Sequence, residues 1–149
     1  MKVLDFGCGP GFFTVEIAER VGKSGSVVAA DLQEGMLDIL RRKIRGTDME
    51  DRITLHKSSE QGVDLSQKVD FVFAFYVMHE LENQTAFLDD FRMALGSKGM
   101  LYIAEPKAHV TKRGFDRTIE RAETSGFSLI DRYSTFMTRV AVFKATVQD

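Results

Sequence analysis

Residues 3–14 read VLDFGCGPGFFT, a short apolar run followed by glycines at positions 7, 9 and 11 and then by an amphipathic segment. This pattern predicts a strand, a tight turn and the first turn of a helix. Glycines let the chain bend sharply and let a ligand touch the backbone, because no side chain stands in the way. The helix start offers unpaired N–H groups to an anion, while Asp5 offers a carboxylate to a cation. The segment therefore favours a ligand that carries both signs of charge.

A second acid stands where an adenosine-containing ligand needs one. Residues 26–31 predict a strand that ends at Asp31, which lies 20 residues after Gly11. At this separation an acid can accept hydrogen bonds from both hydroxyls of a ribose. The alternative is that Asp31 only caps the following helix. The dinucleotide fingerprint needs a third glycine at position 12, where this chain has Phe12, so NAD is disfavoured.

The motif Asp5-x-Gly7-x-Gly9-x-Gly11 resembles the first motif of the class I S-adenosylmethionine (SAM) dependent methyltransferases, in particular the small-molecule branch of ubiquinone and menaquinone biosynthesis. The resemblance implies an α/β fold, a Rossmann-like doubly wound sheet of seven strands that is mostly parallel with a C-terminal antiparallel hairpin. It implies SAM as cofactor and a small molecule as methyl acceptor. The cofactor-binding residues that it implies are Asp5, Gly7, Cys8, Gly9, Gly11, Asp31, Leu32, Met36, Ser58, Ser59, Glu60 and Phe75. The family commonly has an acid where this chain has Ser58, so Glu60 or a backbone group is expected to take its place.

The remaining strands fit this fold. Residues 53–56 predict a third strand, and the apolar run 70–77 predicts a central parallel strand covered on both faces, with Phe71 and Phe73 in the core. Helical spacing at residues 87–95 precedes a fifth strand at residues 100–105. The last two β-rich runs, residues 127–133 and 136–147, are separated too briefly for a crossover helix and are therefore antiparallel. A dinucleotide-binding domain usually closes with a parallel strand, which again favours the methyltransferase hypothesis.

Candidate catalytic residues follow the fourth strand, whose end opens onto the same sheet edge as the glycine turn. By resemblance, residues 75–81 border the transferable methyl group. Methyl transfer depends mainly on the alignment of donor and acceptor, and a base is optional. Tyr76 and His79 are the predicted catalytic residues, with Glu80 as a further candidate base. The alternatives are a packing or helix-terminus role for His79 and stabilisation of a helix dipole by Glu80.

Composition limits the other possibilities. The 149 residues are 44% hydrophobic and 28% charged with a net charge of -2, which predicts one soluble domain over residues 1–149 and no nucleic-acid partner. The longest apolar run, residues 71–78, is far shorter than the roughly 20 residues of a membrane helix, and we expect no membrane contact and a cytoplasmic location. Cys8 is the single cysteine, and the three histidines are scattered, so no metal site is expected.

One departure from the family leaves several hypotheses open. Its members usually carry helices before the first strand, which cover the cofactor and select the substrate, whereas here the strand begins at Lys2. The chain is then a fragment, or a homodimer or partner subunit supplies the cover, or the pocket is unusually open. A non-catalytic SAM-binding subunit that needs a partner is the first alternative function. An NAD-dependent oxidoreductase is the second.

Overall fold

The computed structural model describes residues 1–147, and within them strands and helices alternate along most of the chain. In order, the elements are β1 Lys2–Phe6, α1 Thr14–Val21, β2 Ser26–Asp31, α2 Glu34–Ile44, β3 Ile53–Lys57, β4 Val69–Phe75, α3 Gln84–Ala94, β5 Leu95–Pro106, α4 Lys112–Thr124, β6 Phe127–Ser134 and β7 Thr138–Ala145. A short 3-10 helix, Met78–Glu80, follows β4. None of the helices within residues 1–147 is both long enough and apolar enough to cross a membrane.

All seven strands join one sheet in the order β3-β2-β1-β4-β5-β7-β6. Strands β1 to β5 pair in parallel, whereas β7 runs antiparallel to both β5 and β6. The predicted fold class, a doubly wound and mostly parallel sheet with a terminal antiparallel hairpin, is confirmed. The strand order reverses at β1, because the chain moves outward to β3 and then returns to place β4 on the other side of β1. The carboxyl ends of β1 and β4 therefore flank a crevice, which is where open α/β sheets bind ligands.

Hydrophobic cores on both faces of the sheet hold this crevice in place. On one face, Ala18 of α1 and Leu40 of α2 pack with Ala29 of β2. On the other face, Phe87 and Phe91 of α3 contact the Phe6 ring with centroids 5.3 and 5.1 Å away. Each fully buried side chain of this size contributes about 1.5–3 kcal/mol to folding. Because Phe6 ends β1, this packing also fixes the start of the glycine turn.

The fourth strand differs from its prediction. It ends at Phe75 rather than Val77, because Tyr76 has φ 58°, a left-handed backbone that cannot continue a strand. Phe71 and Phe73 are half-buried, so their predicted place in the core is wrong. The Phe73 ring instead stacks with Tyr102 of β5, the centroids 5.2 Å apart. An apolar sequence predicts that a strand is buried, but it does not predict which helix covers each face of the strand. Here α1 and α2 pack mainly over β1 to β3, so they cover β4 less completely.

The fifth strand and the hairpin also have different limits. β5 begins at Leu95, directly after α3, rather than at residue 100, because Leu95 pairs with Val69 before a register shift. β7 spans Thr138–Ala145, which is shorter at both ends than the predicted run 136–147. Neither difference alters the order of strands around the crevice.

Candidate active site

The glycine turn lies against the end of β2. Gly7, Gly9 and Gly11 have φ of 71°, 54° and 91°, in the left-handed region that glycine adopts at little cost. The amides of Gly7 and Cys8 both donate to the carbonyl of Ala30, at 2.8 and 3.0 Å. These bonds hold the turn beside the residue that ends β2.

That residue is Asp31, and its carboxylate joins the turn to α2. Oδ2 accepts from the amide of Gly9 at 2.8 Å, and Oδ1 accepts from the amide of Gln33, the residue before α2, at 2.9 Å. A carboxylate has about four acceptor positions, so both oxygens can accept further hydrogen bonds. The structure thus brings the glycine turn and Asp31 together, whereas the alternative that Asp31 caps the helix is wrong, because the N-cap residue of α2 is Gln33 and no side-chain hydrogen bond caps it.

A cavity of about 460 Å³ opens at this point, within the range of small-molecule sites. Most residues predicted to contact a ligand line it: Gly7, Gly9, Asp31, Leu32, Met36, Ser58, Ser59 and Glu60, together with Tyr76. The remaining lining residues are Phe6, Gln33, Val77, Glu80, Leu81, Glu82 and Phe87, which were not predicted to bind the cofactor. Most of this second set lies in the segment that links β4 to α3.

The walls of this first cavity are acidic. Asp31, Glu60, Glu80 and Glu82 line it, and no lysine, arginine or histidine does so among residues 1–147. A cleft lined by charges of one sign concentrates their electrostatic potential. The cavity therefore attracts a ligand with positive charge and repels a pyrophosphate.

A second cavity, of about 550 Å³, lies on the other side of Tyr76. Its lining residues are Tyr76, His79, Glu80, Pro106, Lys107, Ala108, His109, Phe136 and Met137. Tyr76 and Glu80 line both cavities. The Tyr76 amide donates to the carbonyl of Ala104 at 2.8 Å, and its hydroxyl shares a hydrogen bond with that of Thr138. Tyr76 therefore separates the two cavities, and its hydrogen bonds to β5 and β7 hold it in place.

His79 lines only the second cavity. Its Nδ1 lies 3.1 and 3.3 Å from the two carboxylate oxygens of Glu105, a residue near the end of β5 that is 1% exposed. Burial raises the pKa of Glu105, while the hydrogen bond from His79 and its charge lower it. The His109 ring lies parallel to the His79 ring, with centroids 5.7 Å apart. Sequence interpretation missed Glu105, although it directly follows Ala104, the partner of Phe75 in β4.

Residues 3–99 match a family model described as a methyltransferase domain. The chain belongs to this methyltransferase family. The matched region contains the glycine turn, Asp31 and His79, and it ends within β5. The prediction from the glycine motif is thereby confirmed at the level of the family.

Known methyltransferases resemble the chain along most of its length. It is 28% identical over 117 residues to a demethylmenaquinone methyltransferase of Lactobacillus johnsonii, covering 76% of this chain and 48% of that protein. It is 25% identical over 120 residues to a ubiquinone/menaquinone biosynthesis C-methyltransferase of Shewanella frigidimarina, covering 78% and 48%. The crystal structure of a SAM dependent methyltransferase from Aquifex aeolicus superposes with a TM-score of 0.86 at 24% identity, covering 98% of this chain and 82% of that one, which shows a shared fold. The chain spans about half the length of the curated relatives.

Asp5 of the methyltransferase domain lies outside both cavities, and this corrects the expectation that its carboxylate faces a ligand. The side chain is buried, and Oδ2 accepts from the hydroxyl of Thr14, the first residue of α1, at 2.6 Å. Burial raises the pKa of Asp5 to about 6; the Thr14 hydrogen bond opposes this shift and the charge of Asp31 adds to it. Asp5 thus joins the end of β1 to the start of α1.

Three more residues that were predicted to contact the cofactor do not line the first cavity: Cys8, Gly11 and Phe75. Cys8 is buried in the core under α1 and α2, and this burial raises its pKa, which disfavours a thiolate nucleophile. A Cβ on Gly11 would lie 2.3 Å from Cδ1 of Leu40, so glycine is required for the turn to pack on α2. The Phe75 ring stacks on Tyr76 at 4.0 Å. These residues support the cavity wall without forming its surface.

Alanine at Gly7 and alanine at Gly9 are expected to differ in their main effect: the first lowers stability and the second weakens ligand binding. At Gly7 a Cβ would lie 2.5 Å from Cγ2 of Val77, and the left-handed backbone adds strain, so we expect a loss of about 2 kcal/mol in the free energy of unfolding. At Gly9 the left-handed backbone adds strain as well, but the space is open, so no side chain has to move, and the Cβ would occupy a wall of the first cavity. Gly9→Ala should therefore weaken ligand binding more than it lowers stability. Urea titration and calorimetry on both variants measure the two quantities, and equal stability losses would contradict this assignment.

Proposed function

We propose that this methyltransferase domain binds SAM in the first cavity and transfers its methyl group to a small molecule. SAM carries a sulfonium and an ammonium group, together with one carboxylate and a ribose with two hydroxyls. The observation that carries the proposal is the acidic first cavity, with four carboxylates and no basic lining residue among residues 1–147. Such walls favour a cationic ligand. At the same cavity, the glycine turn suits the methionine part of this cofactor and Asp31 suits its ribose.

Each part of SAM has residues that would hold it. Asp31 would accept hydrogen bonds from the ribose hydroxyls, and Leu32 and Met36 provide apolar surface for the adenine. The open backbone at Gly9 would receive the methionine part. Ser58, Ser59 and Glu60 line the cavity beyond β3, and Glu60 stands near the place where the family commonly has an acid. These contacts are part of the proposal, in which Cys8, Gly11 and Phe75 support the cavity wall.

The bound cofactor would supply an electrophilic methyl carbon, and the protein would mainly align it with the acceptor. Such alignment accounts for roughly 7–11 kcal/mol of the barrier in well-oriented systems. Tyr76 separates the two cavities and is a catalytic candidate through its position, although its hydroxyl is already bonded to Thr138. The relatives in quinone biosynthesis make a small-molecule acceptor the favoured class. A cytoplasmic location is part of the same proposal and is supported by composition.

A non-catalytic SAM-binding subunit is the second candidate function. The chain spans about half the length of its curated relatives, so further residues or a partner subunit, including a second copy of the chain, are candidates to complete the acceptor side. Turnover by the isolated chain would remove this alternative. An NAD-dependent oxidoreductase is disfavoured, because the acidic cavity repels a pyrophosphate.

Calorimetry with S-adenosylhomocysteine, the product form of the cofactor, tests the proposal. We expect saturable binding of one molecule per chain, and no saturable heat with NADH at the same concentrations. Absence of S-adenosylhomocysteine binding by the folded protein would contradict the proposed function. Binding of NADH alone would favour the oxidoreductase alternative.

A further inference from the structure

A third cavity, of about 260 Å³, lies between the start of α4 and the β6–β7 hairpin. Its lining residues are Lys112, Phe115, Arg132, Tyr133, Ser134 and Arg139, and none of them lines the first or the second cavity. Three of these residues are cations, and no carboxylate among residues 1–147 lines the third cavity. Its charge is therefore opposite to that of the acidic first cavity, and SAM binding does not explain it.

The fold brings the three cations together from three elements. Lys112 is the first residue of α4, Arg132 lies on β6 and Arg139 lies on β7. The hairpin register pairs Ser134 with Arg139, and Arg132 lies two residues before Ser134, so all three lie on one face of the sheet. Arg132 forms a salt bridge with Asp116 of α4, which shows that this is the face covered by α4. The basic side chains therefore converge on the gap between the helix and the hairpin.

Neighbouring groups hold both arginine side chains in place. Nε of Arg139 donates to the carbonyl of Val110 at 3.2 Å. The guanidinium of Arg132 pairs with Asp116 and lies over the ring of Phe115, 5.6 Å from its centroid. A guanidinium has five N–H donors, so each arginine keeps donors for a ligand. Because the side chains are already positioned, a ligand loses less conformational entropy when it binds them.

The positive charge of this cavity is only partly compensated. In the described part of the chain, Asp116 pairs with Arg132, whereas Lys112 and Arg139 have no carboxylate within salt-bridge distance. The hydrogen bond from Arg132 lowers the pKa of Asp116, and the charges of Arg132, Lys112 and Arg139 lower it as well. Three cations and one carboxylate leave two positive charges uncompensated. The positive end of the α4 dipole adds to them, since Lys112 begins the helix.

A phosphate monoester has the charge and the shape that this arrangement requires. It carries a charge of about −1.5 to −2 at pH 7 and has three acceptor oxygens. Donors from three elements approach from different directions, which suits a tetrahedral group better than a planar carboxylate with a single charge. Arginine also binds phosphate through two parallel hydrogen bonds. We propose that the third cavity binds the phosphate group of a phosphate monoester through Lys112, Arg132 and Arg139.

The phosphate group belongs either to a soluble molecule or to a lipid head group. Phe136 is 95% exposed and Met137 is 67% exposed, and both lie in the loop that follows Ser134. Exposed apolar side chains next to a basic site are also found where proteins contact anionic lipid surfaces. The same phosphate chemistry applies to both sources, and the experiments below distinguish them.

Calorimetry with glycerol 3-phosphate tests the site in the whole chain. We expect saturable binding, and much weaker binding of acetate at equal ionic strength. Arg139→Gln should weaken glycerol 3-phosphate binding by ~10-fold or more, because a half-buried, charge-assisted hydrogen-bond donor is lost. Lys112→Gln should weaken it by roughly 3-fold, because this side chain is exposed. Absence of saturable binding by the folded wild type would overturn the proposal.

Arg113→Gln is the matched control. It removes the same charge from the next residue of α4, and Arg113 lines none of the three cavities. This variant should bind glycerol 3-phosphate as the wild type does. Equal losses in Lys112→Gln and Arg113→Gln would show that only net charge attracts the probe, and they would overturn the site. Thermal denaturation checks that each variant is folded, and the exposed position of Lys112 keeps the test valid if Arg139→Gln does not fold.

Cosedimentation with vesicles distinguishes the two sources of the phosphate group. For a lipid source, the protein should sediment with phosphatidylcholine vesicles that contain phosphatidic acid and not with phosphatidylcholine alone. Lys112→Gln and Phe136→Ser should then both reduce the sedimented fraction. For a soluble source, glycerol 3-phosphate binds and neither kind of vesicle does. Sedimentation that Lys112→Gln and Arg139→Gln leave unchanged would overturn a lipid source.

Calorimetry with S-adenosylhomocysteine separates this inference from the proposed function. Variants at positions 112 and 139 should bind S-adenosylhomocysteine with wild-type affinity, since neither residue lines the first cavity. Wild-type affinity for both S-adenosylhomocysteine and glycerol 3-phosphate in Arg139→Gln would reject the phosphate site alone. Failure of the wild type to bind S-adenosylhomocysteine, with normal binding of glycerol 3-phosphate, would reject the proposed function and support the phosphate site.

Discussion

Replacing Asp31 with alanine is expected to weaken S-adenosylhomocysteine binding by ~100-fold or more. The carboxylate would accept hydrogen bonds from both ribose hydroxyls, and hydrogen bonds to a charged group contribute roughly 1.5–3 kcal/mol each. A loss of about 3 kcal/mol or more corresponds to at least ~100-fold in affinity. The substitution also removes the acceptors for the amides of Gly9 and Gln33, so the turn that would hold the methionine part loses a support.

Calorimetry measures this loss, and two further variants separate its causes. Asp38→Ala removes a half-exposed acid of α2 that pairs with Arg41 and lines neither cavity, and it should bind as the wild type does. Asp31→Asn keeps the shape of the side chain but replaces one acceptor oxygen with an amide donor, so it should weaken binding while thermal denaturation shows a folded protein. Wild-type affinity in Asp31→Ala would mean that the ligand does not use this acid.

The backbone-determined part of the site could be predicted from the sequence. Left-handed φ values favour glycine at residues 7, 9 and 11, and an acid at the end of β2 necessarily lies at the crevice of a doubly wound sheet. Asp5 was placed wrongly because neighbouring residues of a strand point to opposite faces. Phe6 therefore lines the first cavity while Asp5 turns toward Thr14.

The second cavity could not be predicted, because segments distant in sequence form it. His79 and Glu105 are 26 residues apart and meet only through the register of β4 on β5, while Phe136 arrives from the terminal hairpin. Local patterns describe each segment and not their contacts. The acidic character of the first cavity was missed for the same reason. Glu82 reaches this cavity because β4 ends at the left-handed Tyr76, and the sequence pattern did not predict where β4 ends.

Asp5→Asn is expected to stabilise the protein at neutral pH and to have no effect in acid. The pKa of Asp5 is about 6 in the folded protein against an ordinary value of 3.8, so the folded state binds a proton more tightly than the unfolded state. Stability therefore falls as pH rises from about 4 to about 6, and the loss persists above that range. Because a pKa difference of one unit is equivalent to 1.36 kcal/mol, the raised pKa of Asp5 corresponds to a loss of about 3 kcal/mol in the free energy of unfolding. Asparagine does not titrate, and its carbonyl oxygen can still accept from Thr14.

Urea titrations at several pH values measure this difference. The free energies of unfolding of wild type and Asp5→Asn should agree near pH 4 and should separate by about 3 kcal/mol at pH 7, with the variant more stable. Asp38→Asn, a change of the same type at a half-exposed acid, should show no comparable trend. A constant difference between wild type and Asp5→Asn across this range would mean that Asp5 is not held in an unfavourable charged state. Since Asp5 lies near Asp31 behind the acidic cavity, a weaker affinity of the more stable variant for S-adenosylhomocysteine would show that this charge serves binding at the expense of stability.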